Sequence, residues 1–185
     1  MSMGTLESLK KMQIISADAF YVGEVVDIRY DPANWNVIGI RAKTEKSAAK
    51  IMAAGSGKVL VQIKPKDYVI NDVMLMQEHL EDLRGSVEQD TDNFPTLSFL
   101  EDKKVSSSEG LTLGTIQSVN IDVSLWSVPS ISVRLDKGAY EMLGLKKGLL
   151  SKTVIVIHTE YIQTASDVVT LNQNISDLRN EIIIE

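Results

Sequence analysis

KKVSSSEGLTLGTIQSVNIDVSLWSVPSISVRL, residues 103–135, carries a skeleton that residues 12–42 already carry earlier in the chain. Gly114 follows Gly23 by 91 positions, Asp122 follows Asp31 by 91, and Trp126 follows Trp35 by 91. One constant offset across three chemically different residues is the mark of an internal duplication. Each repeat reads as a short strand, a tight turn, a long strand entered through glycine, a polar reversal ending in tryptophan, and a returning strand of alternating residues. That pattern belongs to a locally paired meander, so a mainly β fold is expected, and it contains no catalytic machinery.

A length of 185 residues fits one domain or two, and the repeat decides for two. The expected division is a first domain over residues 1–84, an acidic linker over 85–95 (GSVEQDTDNFP) and a second domain over 96–185. Units this small bury only somewhat more than about 60% of the surface of their unfolded chains, so each gains from packing on a neighbour or a partner. A hydrophobic share of 44% with 24% charged residues suits a folded soluble protein. Cysteine is absent, which removes disulfides, thiolate nucleophiles and cysteine-based zinc sites, and suits a reducing compartment. No apolar run reaches the ~18 residues that cross a bilayer, and MSMGTLESLKK lacks the apolar centre of a signal peptide, so a cytoplasmic location is expected.

The net charge of −6 opposes general binding to nucleic acid. Residues 1–84 hold 11 basic and 11 acidic side chains, residues 85–95 none and 3, and residues 96–185 hold 8 and 11. The first repeat is therefore the more basic, through Lys43, Lys46, Lys50, Lys58, Lys64 and Lys66. A solvated polar face and a phosphate-binding track are the two readings of those lysines.

Within the first repeat, Asp31-Pro32-Ala33-Asn34 suits a type I turn, residues 44–54 suit a short helix stopped by Gly55, and Asn71-Asp72 suits a hairpin. The second repeat follows the same order, with a helical turn expected over residues 140–148 and a strand over 152–157. Tyr161 follows Tyr68 by 93 and Leu178 follows Leu83 by 95, which places two small insertions in connecting loops.

Candidate chemistry is thin. GSGK at Gly55–Lys58 lacks the upstream glycine and the Ser/Thr of a Walker A loop, and SKT at Ser151–Thr153 lacks both glycines; both lead into strands. His79 and His158 fall at unmatched places in the two repeats and offer no ligand spacing, so no metal and no cofactor are expected. Ser106-Ser107-Ser108 sits on no nucleophile elbow and reads as turn chemistry. Asp31 and Asp122, recurring beside turns, read as Asx caps, and Trp35 and Trp126 as cap or core residues. The remaining candidates are Ile182, Ile183 and Ile184, three β-branched side chains that need cover. An added intramolecular strand supplies that cover, and so does strand donation to a second chain, in which case these three residues bind a partner.

The second repeat, through EGLTLGTIQSV, DVSLW and LGLKKGLLSKTVIVIHTEYIQTASDVVTLNQNISDLR, resembles the PRC-barrel family, especially its small archaeal members. The resemblance covers residues 97–179 and, through YVGEVVDIRYDPANW, DYV and EDLR, about residues 6–84. It implies two tandem small β-barrels with short helical turns and no active site. It also implies a non-enzymatic adaptor that links components of the archaeal cell-division machinery and is recruited from the cytoplasm to the division site. The partners so implied are a related PRC-barrel protein, the chain itself, and a division adaptor at the membrane, without direct membrane insertion and without nucleic acid. A ribosome-maturation or RNA-associated accessory factor is the alternative, and the lysines of the first repeat are its support. Charge location discriminates the two, since one continuous basic face favours RNA.

Overall fold

The computed structural model describes residues 3–54, 60–66, 68–90, 93–145, 153–181 and 183–184. It divides into two units, the first holding Met1–Ser98 and Asp122–Ser127, the second Phe99–Ile121 and Val128–Glu185. The elements of the first repeat are β1 (Met3–Thr5), α1 (Leu6–Leu9), β2 (Gln13–Ile15), β3 (Tyr21–Asp31), β4 (Asn36–Thr44), α2 (Lys46–Ile51), β5 (Leu60–Ile63), β6 (Val69–Ile70), β7 (Val73–Leu75), a 3-10 turn at Asp82–Gly85, and β8 (Val87–Gln89). A 3-10 turn at Leu97–Phe99 opens the second repeat. It continues through β9 (Lys104–Ser106), β10 (Thr112–Asp122), β11 (Ser127–Leu135), α3 (Lys137–Met142), β12 (Val154–His158), β13 (Ile162–Ala165), β14 (Val168–Leu171), α4 (Ile175–Glu181) and β15 (Ile183–Ile184).

In the first unit the strand order is β6-β7-β2-β3-β4-β5-β8, and in the second it is β13-β14-β9-β10-β11-β12-β15. Each strand of the second order stands seven places after its counterpart in the first. The one parallel ladder falls at the same place in both, β2 with β7 and β14 with β9. Backbone conformation repeats as well. Lys11, Ala19, Trp35 and Ala53 have positive φ, and so do Asp102, Gly110, Trp126 and Gly144, each 91 residues later. The duplication read from three side chains is therefore a duplication of the chain path.

The long hairpins carry the tightest contact. Gly23 pairs with Thr44, and a Cβ on Gly23 would lie 2.3 Å from the Lys43 carbonyl oxygen. A Cβ on Gly114 would lie 2.1 Å from the Arg134 carbonyl oxygen and 2.9 Å from Leu135 Cα. Backbone cannot yield as a side-chain tip can, so only glycine lets these strands pass. Around this crossing the alternating strands bury their cores: Ile14, Val22, Ile28, Tyr30, Ile40 and Ile63 in the first unit, and Val105, Leu113, Ile131, Val133, Ile155 and Leu171 in the second. Each buried aliphatic contributes about 1.5–3 kcal/mol relative to exposure.

The mainly β expectation holds, while closed barrels do not follow from the ladders. Among the described residues β6 pairs only with β7 and β8 only with β5, so the sheet of the first unit is open at both ends; β13 and β15 end the second in the same way. The segment 85–95, expected as a linker, instead supplies β8, with Val61 opposite Gln89 and Ile63 opposite Val87. The helical turn expected over residues 140–148 is instead α3, Lys137–Met142, and Gly144 at φ 69 stands in the left-handed conformation just past its end. Gly55 and Gly148, the stops read from the sequence, lie outside the described residues.

Two substitutions test the crossing. Gly23→Ala and Gly114→Ala should each destabilise the protein by about 3 kcal/mol or more, because the overlap is with backbone. Ala19→Gly, which restores the residue type of Gly110 at a left-handed position, should be neutral or stabilising by about 1 kcal/mol. Urea unfolding measures all three, and a Gly114→Ala protein as stable as the parent contradicts the steric argument.

Candidate partner-binding surfaces

Ile183 and Ile184 form β15, which pairs antiparallel with β12 through Val156 opposite Ile183 and Ile155 opposite Ile184. This is the intramolecular strand, and it occupies in the second unit the place that β8 holds in the first. Ile182 lies outside the described residues. One edge of the segment is thus taken by its own sheet, and among the described residues no strand pairs with the other.

The reversals behave as read. Asp31 Oδ1 accepts from the Ala33 amide at 2.9 Å, and Asp122 Oδ1 accepts from the amides of Ser124 and Leu125 at 2.9 and 3.2 Å. Ser124 Oγ adds a 2.5 Å bond and is the main reason that the Asp122 carboxyl stays below the usual carboxylate range. Both tryptophans stand at left-handed φ, an uncommon conformation for a bulky residue. Trp35 stacks on Tyr30 at 5.2 Å, and burial pushes the Tyr30 phenol up to about 12. Trp126, within the first unit, donates from Nε1 to the Lys66 carbonyl at 2.5 Å and meets Tyr68 edge-on at 6.2 Å. Burial, and then the charge of Glu78, push the Tyr68 phenol above its ordinary value.

Beside Trp126 the first unit holds a cleft of about 610 Å³, floored by Val37 and Pro65 and rimmed by Leu125, which is 71% exposed. A second cleft of about 600 Å³ in the same unit is lined by Lys10, Lys11, Glu24, Val25, Val26, Lys43 and Leu60. The end strand β6 exposes Val69, and its neighbour β7 exposes Leu75. Among the described residues no group of three His, Cys, Asp or Glu side chains could hold a metal ion, and no helix is long and apolar enough to cross a membrane. His79 Nδ1 lies 3.9 Å from Asp18, and His158 meets Tyr161 edge-on at 6.3 Å. Ser107 is buried and its Oγ accepts from the Leu111 amide at 3.3 Å, which is turn chemistry.

The lysines of the first repeat divide. Lys64 pairs with Glu88 at 2.8 Å, Lys66 pairs with Glu78, and Lys43 faces the second cleft with Lys10 and Lys11. Lys46 and Lys50 stand on α2, and Lys58 lies outside the described residues. The charge the sequence reading missed is Asp90. It accepts from Arg29 Nη2 at 2.9 Å and Arg41 Nε at 2.6 Å, while Arg29 Nη1 also donates to the Phe94 carbonyl. Arg29 is 3% exposed, so this carboxylate neutralises a charge held inside the first unit. Recurrent arginines on adjacent strands, Arg29 and Arg41, were the available signal for such a counter-ion. Comparison with protein-family models and with curated protein sequences finds no match for the chain.

Asp90→Ala should cost about 3 kcal/mol because it strands a buried guanidinium, whereas Glu88→Ala, which breaks an exposed pair, should cost no more than about 0.5 kcal/mol. Equal losses in chemical unfolding contradict the buried role of Asp90. Asp122 gives a pH signature. Its folded pKa lies below the unfolded value of about 3.9, so the stability it contributes is complete above that value and is lost as pH falls through the folded one. Asp122→Asn should flatten the acid limb of melting temperature against pH, and an unchanged limb argues against it.

Proposed function

We propose that the chain is a non-enzymatic protein–protein adaptor built from two PRC-barrel-like units, and that it serves the archaeal cell-division machinery at the division site. The observation that carries the adaptor reading is that, among the described residues, the end strands β6, β8, β13 and β15 each pair on one side only, and β6 also exposes an apolar side chain. An open edge offers a row of backbone donors and acceptors to an incoming strand, and exposed Val69 and Leu75 give that strand apolar contacts. Natural sheets usually blunt such an edge with charge, and β6 carries none. The process and the barrel family come from the family resemblance of the sequence alone. The partners proposed are a related barrel protein, a second copy, and a division adaptor at the membrane. Two of the lysines read from the first repeat are engaged with acids, Lys64 with Glu88 and Lys66 with Glu78, which supports protein over RNA as the partner class.

Capture from native lysate, with and without nuclease, tests this reading when run on the parent and on Val69→Lys. The expected result is a defined set of division proteins that survives nuclease, and its loss from the lysine variant with melting temperature unchanged. Partners that vanish with nuclease turn the assignment toward an RNA-associated factor.

A further inference from the structure

In the first unit the turn after α1 is fixed by backbone bonds. Lys11 takes φ 65, its amide donates to the Val25 carbonyl at 2.8 Å, and the Val25 amide donates to the Met12 carbonyl at 2.9 Å. One residue further along β3 the ladder to β4 slips, with Val25 opposite Ala42 and Asp27 opposite Arg41, which leaves Val26 as the extra residue of a bulge. A bulge re-aims a side chain, and Val26 lines the cleft of about 600 Å³ together with Val25 and Leu60. Lys11 and Val26 thus reach one cleft from a fixed turn and a bulge. We propose that this cleft binds a small organic anion with an apolar body, its charged group held by Lys11 and Lys43 and its body lying on Val26 and Leu60.

The lining has the make-up of a small-molecule site, in which apolar side chains supply most of the contact and a few charged groups orient the ligand. Its volume falls within the range of about 300–1,000 Å³ that such sites occupy. Leu60 is 41% exposed, so a ligand that covers it removes apolar surface from water. Lys10 also lines the cleft but is already engaged within the chain. The ammoniums left to face a ligand are those of Lys11 and Lys43, both exposed and, among the described residues, in no ion pair. Against them stands the carboxylate of Glu24, which is opposite Lys43 in the ladder. Two cations to one acid favour an anion of low charge. A polyanion such as RNA needs a longer basic track, whereas a single carboxylate or phosphate group is served by two lysines.

The second unit provides an internal comparison. At the offset of 91, Asp102 replaces Lys11, Gln117 replaces Val26 and Arg134 replaces Lys43. Asp102 keeps the left-handed backbone at φ 62, and its amide still donates to a β10 carbonyl, that of Ile116, at 3.2 Å. The turn itself therefore requires no lysine, and the cleft owes its chemistry to the first unit's own side chains.

Binding here is independent of any protein partner. Titration calorimetry of the full chain tests it with octanoate and octyl phosphate as probes, and with 1-octanol, acetate and inorganic phosphate as controls that lack the charge or the apolar body. At least one of the two probes should saturate with a Kd of about 1 mM or tighter, and the tighter of them identifies the charged group; each control should bind at least about tenfold more weakly. Lys11→Glu and Lys43→Glu should each weaken the probe at least about fivefold. Val26→Gln, which installs the residue of the second repeat, should weaken it as well, whereas Arg134→Glu in the second unit should leave it unchanged. Amide chemical shifts of the parent protein decide without any variant, since changes centred on Lys11, Val26 and Leu60 support the site and changes centred elsewhere overturn it. Probes that bind no better than the controls, or binding that survives both lysine reversals in folded protein, also overturn the proposal.

Discussion

At Gly23 and again at Gly114 a long strand presses on its returning partner so closely that the carbonyl oxygen of Lys43 or Arg134 takes the space of a side chain. That contact sets the path of everything after it. The ladder to the preceding strand changes register beside it, between Ile14 and Ile15 in the first repeat and between Thr112 and Gly114 in the second. A register change bends the strand and increases its twist, so an eleven-residue strand can serve two neighbours and still cover one core. The helical segment that follows the returning strand, Lys46–Ile51 or Lys137–Met142, then starts at the same distance from the crossing in both repeats.

A second constraint is electrostatic and occurs at one place. Arg29 is buried on β3, and a buried guanidinium must be paired or the unit loses several kcal/mol. Its partner comes from sixty-one residues away, in the stretch that composition marks as a linker. Acidic, polar and proline-containing sequence normally solvates a connection, and GSVEQDTDNFP has all three features. Composition cannot tell a solvated acid from a counter-ion, because the difference lies in which strand edge the chain passes.

The repeat offset was legible because glycine at a crossing, aspartate at a turn and tryptophan at a left-handed position each answer a local steric or hydrogen-bonding demand. Ala19 and Ala53 hid two further matches, since alanine gives no sign of the positive φ that Gly110 and Gly144 announce. The tail was legible as a strand, and its place beside β12 required knowing that β8 fills the same slot beside β5. Lys10 and Lys11 were read only as part of a polar N-terminus. They line a cleft whose other wall, Leu60, comes from a strand fifty residues on.

Duplication explains why surface chemistry and not fold separates the two units. The crossing, the turn caps and the buried aliphatic positions are fixed by steric demands that each repeat must meet separately, so they stay alike. An exposed pair of residues after a helical turn meets no such demand, since changing its charge costs the unit little stability. Lysines in one repeat and acids at the same places in the other therefore survive without cost to either fold.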